Sequence, residues 1–312
     1  MFRENPIVNI RRFAKAFMSN QLARAMPQLY VKLTRQTGRG ARRESPDEIV
    51  DYFFECFKDY FKALKVNSEN IDSYLNGKEL LEYGPGDVPG VALLMYAHGA
   101  KNVLCVDRFP LISFSEKNVK VMRLLLARLD ADKRVRAESC FNERGNPGSG
   151  LAMGKIDYLI KSSGLSGLDN QVDLIFSRAV LEHVNDLSAT FCDMYNALRP
   201  SGVTVHQIDL KSHGLHRCNR LDFLIWPPLL WDLMYSCKGV PNRWRANRYK
   251  EIIKKTGFVA ELIEPTELAD KSEIEQVRPH LAKLYRDLPD EELAWLGLWL
   301  VIRKSDNTYT TA

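Results

Sequence analysis

Apolar residues recur along most of this chain in two alternating patterns, one typical of strands and one typical of helices. Helical spacing predicts helices that include residues 91–97, 187–198 and 245–255. Strands that alternate with helices imply βαβ units and a mainly parallel sheet. Short apolar runs predict seven strands, at residues 80–83, 102–107, 156–160, 172–177, 203–209, 258–263 and 296–303.

A further helix is predicted from residue 45 to about residue 65, where the chain carries a strong start signal. Ser45 can cap this helix, Pro46 suits its first position and Glu48 completes a capping box. Asp87 is the predicted N-cap of the helix that follows the first strand. We divide the chain into an N-terminal arm (1–44), a large domain (45–305) with an insertion at about 211–245, and a C-terminal tail (306–312).

Charge separates the N-terminal arm from the rest of the chain. Residues 1–43 hold ten basic residues and one acidic residue, so of the total net charge of +5 the remainder carries −4. Apolar residues in the arm recur at roughly helical spacing, which predicts a basic amphipathic helix. Three interpretations stay open: a helix packed on the body, a helix on an anionic membrane surface, or an organelle transit peptide. Nucleic-acid binding is not favoured, because the body is not basic.

Cysteine usage and hydropathy limit the cellular context. The six cysteines are scattered without a Cys-x-x-Cys pair, which favours reduced structural thiols and argues against zinc bound by cysteine. No run of about 18 uncharged apolar residues is present, so a membrane-spanning helix is not expected. The start of the chain lacks the apolar core of a secretory signal. We expect a cytoplasmic protein, with membrane association through the arm as an alternative and an oligomeric state that the sequence does not define.

The most informative segment is the glycine-rich turn that begins at Gly84, after the first strand. Glycine lets the backbone turn sharply and approach a ligand closely. Asp107 lies 21 positions after Gly86, where an acid can accept hydrogen bonds from ribose hydroxyls. A dinucleotide loop would need glycine where Pro89 stands. Together with Glu82, which precedes the turn, these residues predict a site for a nucleoside that carries a cationic group.

Four segments resemble the motifs of class I S-adenosylmethionine-dependent methyltransferases: 81–86, 103–107, 172–184 and 198–203. The third includes the Leu181-Glu182-His183 triplet, and the resemblance extends over about 75–303. It implies an enzyme with S-adenosyl-L-methionine as its cofactor. It also implies an α/β fold, a Rossmann-like, doubly wound, mainly parallel seven-stranded sheet with helices on both faces, here with an N-terminal helical extension. The family often has a small residue two positions after Gly86, whereas this chain has Val88.

The resemblance also implies roles for individual residues. Asp107 would bind the ribose hydroxyls, and Arg108 or Phe109 would flank the adenine. Ser177 and Arg178 would face the methionine moiety and the methyl group. The amino-acid part of the cofactor would be lined by the first motif, which comprises Glu82, Tyr83, Gly84, Pro85 and Gly86.

Histidines near the ends of the fourth and fifth strands are candidates for catalysis. Methyl transfer from a sulfonium needs a base only if the acceptor must lose a proton, and a histidine suits that task. His183 is the first candidate and His206 the second, although either could have a structural role. The spacing of these residues with Asp209, His213 and His216 specifies no metal site, and none is predicted.

The insertion at 211–245 is rich in aromatic residues, including Phe223, Trp226 and Trp231. It predicts either a lid over an apolar acceptor or a helix pair packed on the sheet. The sequence as a whole predicts methyl transfer from S-adenosylmethionine to a small organic or lipid-like acceptor. The alternatives are a degenerate cofactor-binding module of the same fold, an RNA methyltransferase or a nicotinamide-dependent oxidoreductase.

Overall fold

The computed structural model describes residues 6–26, 29–30, 33, 44–215, 218–238 and 240–305, with side chains from residue 10 onward. Part of the predicted arm, His216 and the C-terminal tail (306–312) lie outside these residues.

A seven-stranded sheet forms the centre of the protein. The strands are β1 Glu79–Tyr83, β2 Asn102–Asp107, β3 Ile156–Ile160, β4 Val172–Arg178, β5 Leu198–Asp209, β6 Phe258–Leu268 and β7 Trp295–Lys304. They follow the order β3-β2-β1-β4-β5-β7-β6, in which β7 runs antiparallel to both of its neighbours and the other pairs are parallel. The predicted α/β fold with a mainly parallel, doubly wound sheet is therefore confirmed.

Helices cover both faces of the sheet, because successive strand residues point to opposite faces. The helices are α1 Pro6–Ala25, α2 Pro46–Ala63, α3 Ile71–Leu75, α4 Gly90–Ala97, α5 Glu116–Ala127, α6 Ala131–Glu138, α7 Leu187–Ala197, α8 Pro228–Tyr235, α9 Ala246–Thr256, α10 Lys271–Val277, α11 Lys283–Arg286 and α12 Asp290–Ala294. Leu80 belongs to the buried cluster formed with α2, α4 and α5, whereas Leu81 belongs to the cluster formed with α7 and α9.

The two predicted helix starts have different outcomes. The capping box of α2 is confirmed: the Ser45 backbone N–H donates to Glu48 Oε2 at 2.6 Å, and the Glu48 N–H donates to Ser45 Oγ at 3.3 Å. The prediction of Asp87 as the N-cap of α4 is wrong, because that helix begins at Gly90 and Pro89 precedes it. Asp87 is instead buried in the turn, where its carbonyl accepts a hydrogen bond from the side chain of Asn118 at 3.1 Å.

Strands β5 and β6 extend beyond their predicted bounds, because irregular pairing accommodates residues that are typical of turns. The predicted turn at 199–202 lies inside β5, where Ser201 has a φ of +62° and the pairing with β4 shifts register. β6 continues through Pro265 to Leu268. Proline is tolerated there because β6 is an edge strand and its pairing with β7 is irregular after Pro265.

The arm and the insertion meet in a separate small core. Helix α1 packs on α8, where the Asn20 amide donates to the carbonyl of Leu233 at 3.0 Å and Asn20 Oδ1 accepts from the N–H of Cys237 at 2.9 Å. The aromatic residues Phe223 and Trp231 are buried in this core with residues of α10 and α11. The structure thus favours a packed helix over a free arm and a packed insertion over an open lid.

No helix in the described part of the chain combines the length and apolar character needed to cross a membrane.

Candidate cofactor and acceptor site

The turn after β1 is half-buried and is flanked on both sides by buried residues. Gly84 and Gly86 have φ values of +74° and +73°, a region that favours glycine. These two residues and Pro85 are half-buried, whereas Tyr83 is buried with its hydroxyl toward the loop after β3. A Cβ on Gly84 would lie 2.5 Å from Cγ2 of Val180 in the loop after β4. Glycine is therefore needed for both the turn and the close approach of these loops.

Asp107 stands at the end of β2, beside this turn. Its side chain is buried, and burial raises its pKa to about 6 although the backbone N–H groups of Phe109, Arg108 and Gly86 act in the opposite direction. The half-buried Arg108 and Phe109 follow at once, and the carbonyl of Phe109 accepts a hydrogen bond from the Tyr158 hydroxyl at 2.8 Å. The structure therefore places the three residues proposed for the nucleoside next to the glycine turn.

Glu82 is the second buried carboxyl group at the turn. Burial raises its pKa to about 8, the Ala92 backbone N–H and the Cys105 thiol lower it, and the charge of Asp107 raises it further. Cys105 Sγ lies 3.8 Å from Glu82 Oε2. A cationic ligand beside these two carboxyl groups would favour their ionised forms, since opposite charge lowers a carboxyl pKa.

Ser177 and His206 form a buried pair on the neighbouring strands β4 and β5. Ser177 Oγ and His206 Nδ1 are 2.7 Å apart, and neither side chain reaches the surface. Burial lowers the pKa of His206 to about 3, so its imidazole is neutral near pH 7. This geometry favours positioning of Ser177 by His206, and the predicted role of His206 as a base stays a prediction.

Arg178, the last residue of β4, interacts with α2 through its side chain. Its guanidinium Nη1 lies 3.0 Å from Asp59 Oδ2 and stands over the rings of Tyr52 and Trp299. These contacts attach α2 to the carboxyl end of the sheet. Contact between Arg178 and the cofactor stays a prediction.

The comparison with protein families decides what kind of protein carries these loops. A profile described as a methyltransferase domain matches residues 47–262. The chain belongs to this methyltransferase-domain family. The match confirms the resemblance seen in the sequence, and the predicted cofactor, S-adenosylmethionine, agrees with it.

Solved structures of methyltransferases resemble this methyltransferase domain at low identity. An S-adenosylmethionine-dependent methyltransferase from Mesorhizobium loti is 19% identical with a TM-score of 0.42, and the match covers 73% of this chain and 92% of that one. A SAM-dependent methyltransferase from Methanosarcina mazei is 15% identical with a TM-score of 0.43, over 76% and 97% of the two chains. No curated protein matches the chain significantly.

His183 lies in a 3₁₀ turn (Leu181–His183) after β4. Its ring meets that of His213 edge to face, with 4.9 Å between the centroids. His213 Nε2 is 3.4 Å from Asp209 Oδ2, at the end of β5. Both imidazoles are partly exposed, with 28% of the His183 side chain accessible. The structure brings His183 together with His213, whereas His206 is paired with Ser177.

Glu182, which the sequence did not single out as a candidate site residue, lies beside both histidines. Its side chain is only 1% exposed, yet Oε1 lies within 4 Å of both His183 Nε2 and His213 Nε2. The Leu181-Glu182-His183 triplet was the available signal. Asp59 was also missed, and nothing in its sequence context points to Arg178.

Gly84→Ala is expected to destabilise the protein by about 1–3 kcal/mol more than Gly154→Ala. Both glycines have a left-handed φ, +74° and +78°, so the backbone strain of alanine largely cancels in the comparison. Only the Cβ at position 84 meets another side chain, at 2.5 Å, which is overpacking against a stiff valine. Urea denaturation of the two variants measures the difference.

The same pair of variants separates fold from ligand binding. Gly154 has open space around its Cβ position, so Gly154→Ala should leave the affinity for S-adenosylhomocysteine unchanged, whereas Gly84→Ala should reduce it. Equal stability of the two variants would show that the loops after β1 and β4 do not approach each other as described.

Proposed function

We propose that this protein transfers a methyl group from S-adenosylmethionine to a small organic or lipid-like acceptor. The observation that carries the proposal is the half-buried glycine turn at Gly84–Gly86, which lies between the buried carboxyl groups of Glu82 and Asp107. Membership of the methyltransferase-domain family supports the reaction type. The acceptor class is our own inference.

The chemistry of the cofactor suits this pair of carboxyl groups. A carboxylate at Asp107 can accept one hydrogen bond from each ribose hydroxyl. S-adenosylmethionine also carries a sulfonium and an ammonium group, and positive charge near Glu82 and Asp107 would oppose the burial that raises their pKa values. A ligand without positive charge would gain only the hydroxyl hydrogen bonds and not this electrostatic stabilisation.

The reaction needs little covalent help from the protein. A lone pair of the acceptor forms a bond to the methyl carbon while the carbon–sulfur bond breaks, and sulfur keeps that electron pair as S-adenosylhomocysteine leaves. Alignment of acceptor and methyl group can therefore supply most of the acceleration. If the acceptor must lose a proton, the partly exposed His183 is the candidate base of this proposal.

Surface properties support a small or lipid-like acceptor over a nucleic acid. The chain outside residues 1–43 has a net charge of −4, which does not suit a polyanion. The apolar side chains of Met18 on α1 and Leu229 on α8 are exposed on two helices that pack together. These exposed apolar side chains, one of them in the basic arm itself, are compatible with peripheral contact to a membrane that presents the acceptor.

Calorimetric titration with S-adenosylhomocysteine tests the cofactor half of the proposal. We expect one molecule to bind per chain, and no binding of reduced nicotinamide cofactors. Incubation of the protein and a cell extract with an isotopically labelled methyl donor then tests transfer, because mass spectrometry shows which molecule gains the label. Absence of S-adenosylhomocysteine binding by the folded protein contradicts the proposal. Binding without transfer to any extract component favours a degenerate module instead.

A further inference from the structure

Four side chains converge where β4 and β5 end, beyond the proposed cofactor site. Glu182 Oε1 lies 3.8 Å from His213 Nε2 and 3.9 Å from His183 Nε2. One ligand atom each of Glu182, His183 and His213 lies within 4.8 Å of the other two, and Asp209 Oδ2 is 3.4 Å from His213 Nε2. We call these four residues the acceptor-side cluster.

The carboxyl group of Glu182 is buried with few hydrogen-bond partners. Only 1% of its side chain is exposed, and the backbone N–H groups of Glu182 and Asp209 lie near it, but in the described part of the chain neither oxygen has a hydrogen bond of normal geometry. A buried charged or polar group without a partner is costly, so such groups usually have a structural or ligand-binding reason. Here the oxygens face two imidazole rings.

Hydrogen bonds from the two histidines, one to each acid, would leave two carboxylate charges side by side when both acids are ionised. His213 Nε2 can carry one hydrogen, yet it faces carboxylate oxygens of both Glu182 and Asp209. Charge repulsion between the two carboxylates would remain. A divalent cation between them would neutralise both acids and accept the lone pairs of the imidazoles.

The geometry points to a binding site for a divalent transition-metal ion, with Glu182, His183 and His213 as ligands and Asp209 beside them. Two imidazole nitrogens with carboxylate oxygen suit ions such as Zn²⁺, whereas Mg²⁺ and Ca²⁺ prefer oxygen alone. Ligand atoms about 2.1 Å from one ion are about 3.0–3.4 Å apart. The two separations from Glu182, 3.8 Å and 3.9 Å, and the separation of the ligand atoms of the two histidines, which is at most 4.8 Å, would have to shorten by rotation of the partly exposed imidazoles.

Such an ion would lie next to the methyl-donor site. Val180, two residues before Glu182, is the residue that approaches Gly84 most closely. Three protein ligands leave coordination positions open, and these suit an oxygen of the acceptor. Binding of the acceptor by the ion rests on the proposed function, whereas metal binding itself does not. It also changes the role of His183, because an imidazole nitrogen that binds a metal cannot act as a base.

Titration of the full-length protein with Co²⁺, a spectroscopic substitute for Zn²⁺, tests this site. We expect one Co²⁺ per chain with visible absorption bands, without the intense near-ultraviolet band of thiolate ligation that the exposed cysteines would produce. Glu182→Gln, which keeps the side-chain volume, and His213→Ala should each weaken Co²⁺ binding about 100-fold. Co²⁺ should also raise the melting temperature of the unmodified protein but not of these variants.

His280→Ala is the matched control, because it removes an exposed histidine outside the acceptor-side cluster and should leave Co²⁺ binding unchanged. Thermal unfolding of each variant without metal shows whether it is folded. If Glu182→Gln does not fold, the comparison of His213→Ala with the unmodified protein tests the site. Failure of the unmodified protein to bind Co²⁺, or an affinity in both variants equal to that of the unmodified protein, would overturn the inference. S-adenosylhomocysteine binding measured on the same metal-free samples keeps this outcome separate from that of the proposed function.

Discussion

Replacement of Asp107 by alanine is expected to weaken the binding of S-adenosylhomocysteine by at least about 100-fold. In the proposed complex the carboxylate accepts both ribose hydroxyls, and a hydrogen bond to a charged group contributes about 1.5–3 kcal/mol. Two such bonds contribute about 3–6 kcal/mol, and each 1.4 kcal/mol changes the dissociation constant tenfold. Calorimetric titration at pH 7.5, where Asp107 is ionised in the free protein, measures the loss.

The pH dependence of the affinity for S-adenosylhomocysteine tests whether the negative charge of Asp107 is what strengthens binding. Burial raises the pKa of Asp107 to about 6, so lowering the pH through this value should protonate the side chain and weaken binding. Asp107→Asn keeps the shape and should remove the part of this dependence that Asp107 causes, so that only the titration of Glu82, whose pKa is about 8 in the unmodified protein, contributes. Asp132→Ala, an exposed acid on α6, should leave the affinity unchanged. An unchanged affinity in Asp107→Ala would show that the ribose is bound elsewhere.

The fold was predictable wherever the spacing of apolar residues determines which face of an element is buried. Leu80 and Leu81 illustrate this, since adjacent positions in β1 enter cores on opposite faces of the sheet. The helices at 271–294 were not predicted, because they are short and their apolar residues pack on α1 and the insertion rather than on the sheet. Long-range packing of this kind leaves no periodic pattern in a short segment.

The candidate site was predictable where backbone conformation demands a residue type. The glycines at 84 and 86 adopt φ values that other residues avoid, and this requirement is visible in the sequence. The partners of His183 were not visible, because its contact with His213 depends on how the loop after β5 folds back across 30 residues. Side chains alternate between the two faces of β5, so His206 and Asp209 belong to opposite faces, and His206 is buried against Ser177.

Arg245→Met is expected to lower the free energy of unfolding by about 2–5 kcal/mol. The Arg245 side chain is buried just before α9, where its guanidinium donates to the carbonyls of Leu210 after β5, Leu293 in α12 and Trp295 in β7. Three hydrogen bonds from a charged group contribute about 4.5–9 kcal/mol. Burial opposes this and lowers the pKa of Arg245 to about 10, a shift equivalent to about 3 kcal/mol. The hydrogen bonds outweigh the burial, so methionine, which has similar length but no donors, should destabilise the fold.

Arg248→Met, three residues further along in α9, provides the matched control for this prediction. Arg248 is 40% exposed and pairs with Glu251 at 2.6 Å, an arrangement typically worth under about 1 kcal/mol. Urea denaturation followed by circular dichroism should therefore separate the two variants by at least about 1 kcal/mol. If Arg245→Met were as stable as Arg248→Met, the desolvation of the guanidinium would equal its three hydrogen bonds. The end of β5, which leads into the acceptor-side cluster, would then be held in place by apolar packing rather than by Arg245.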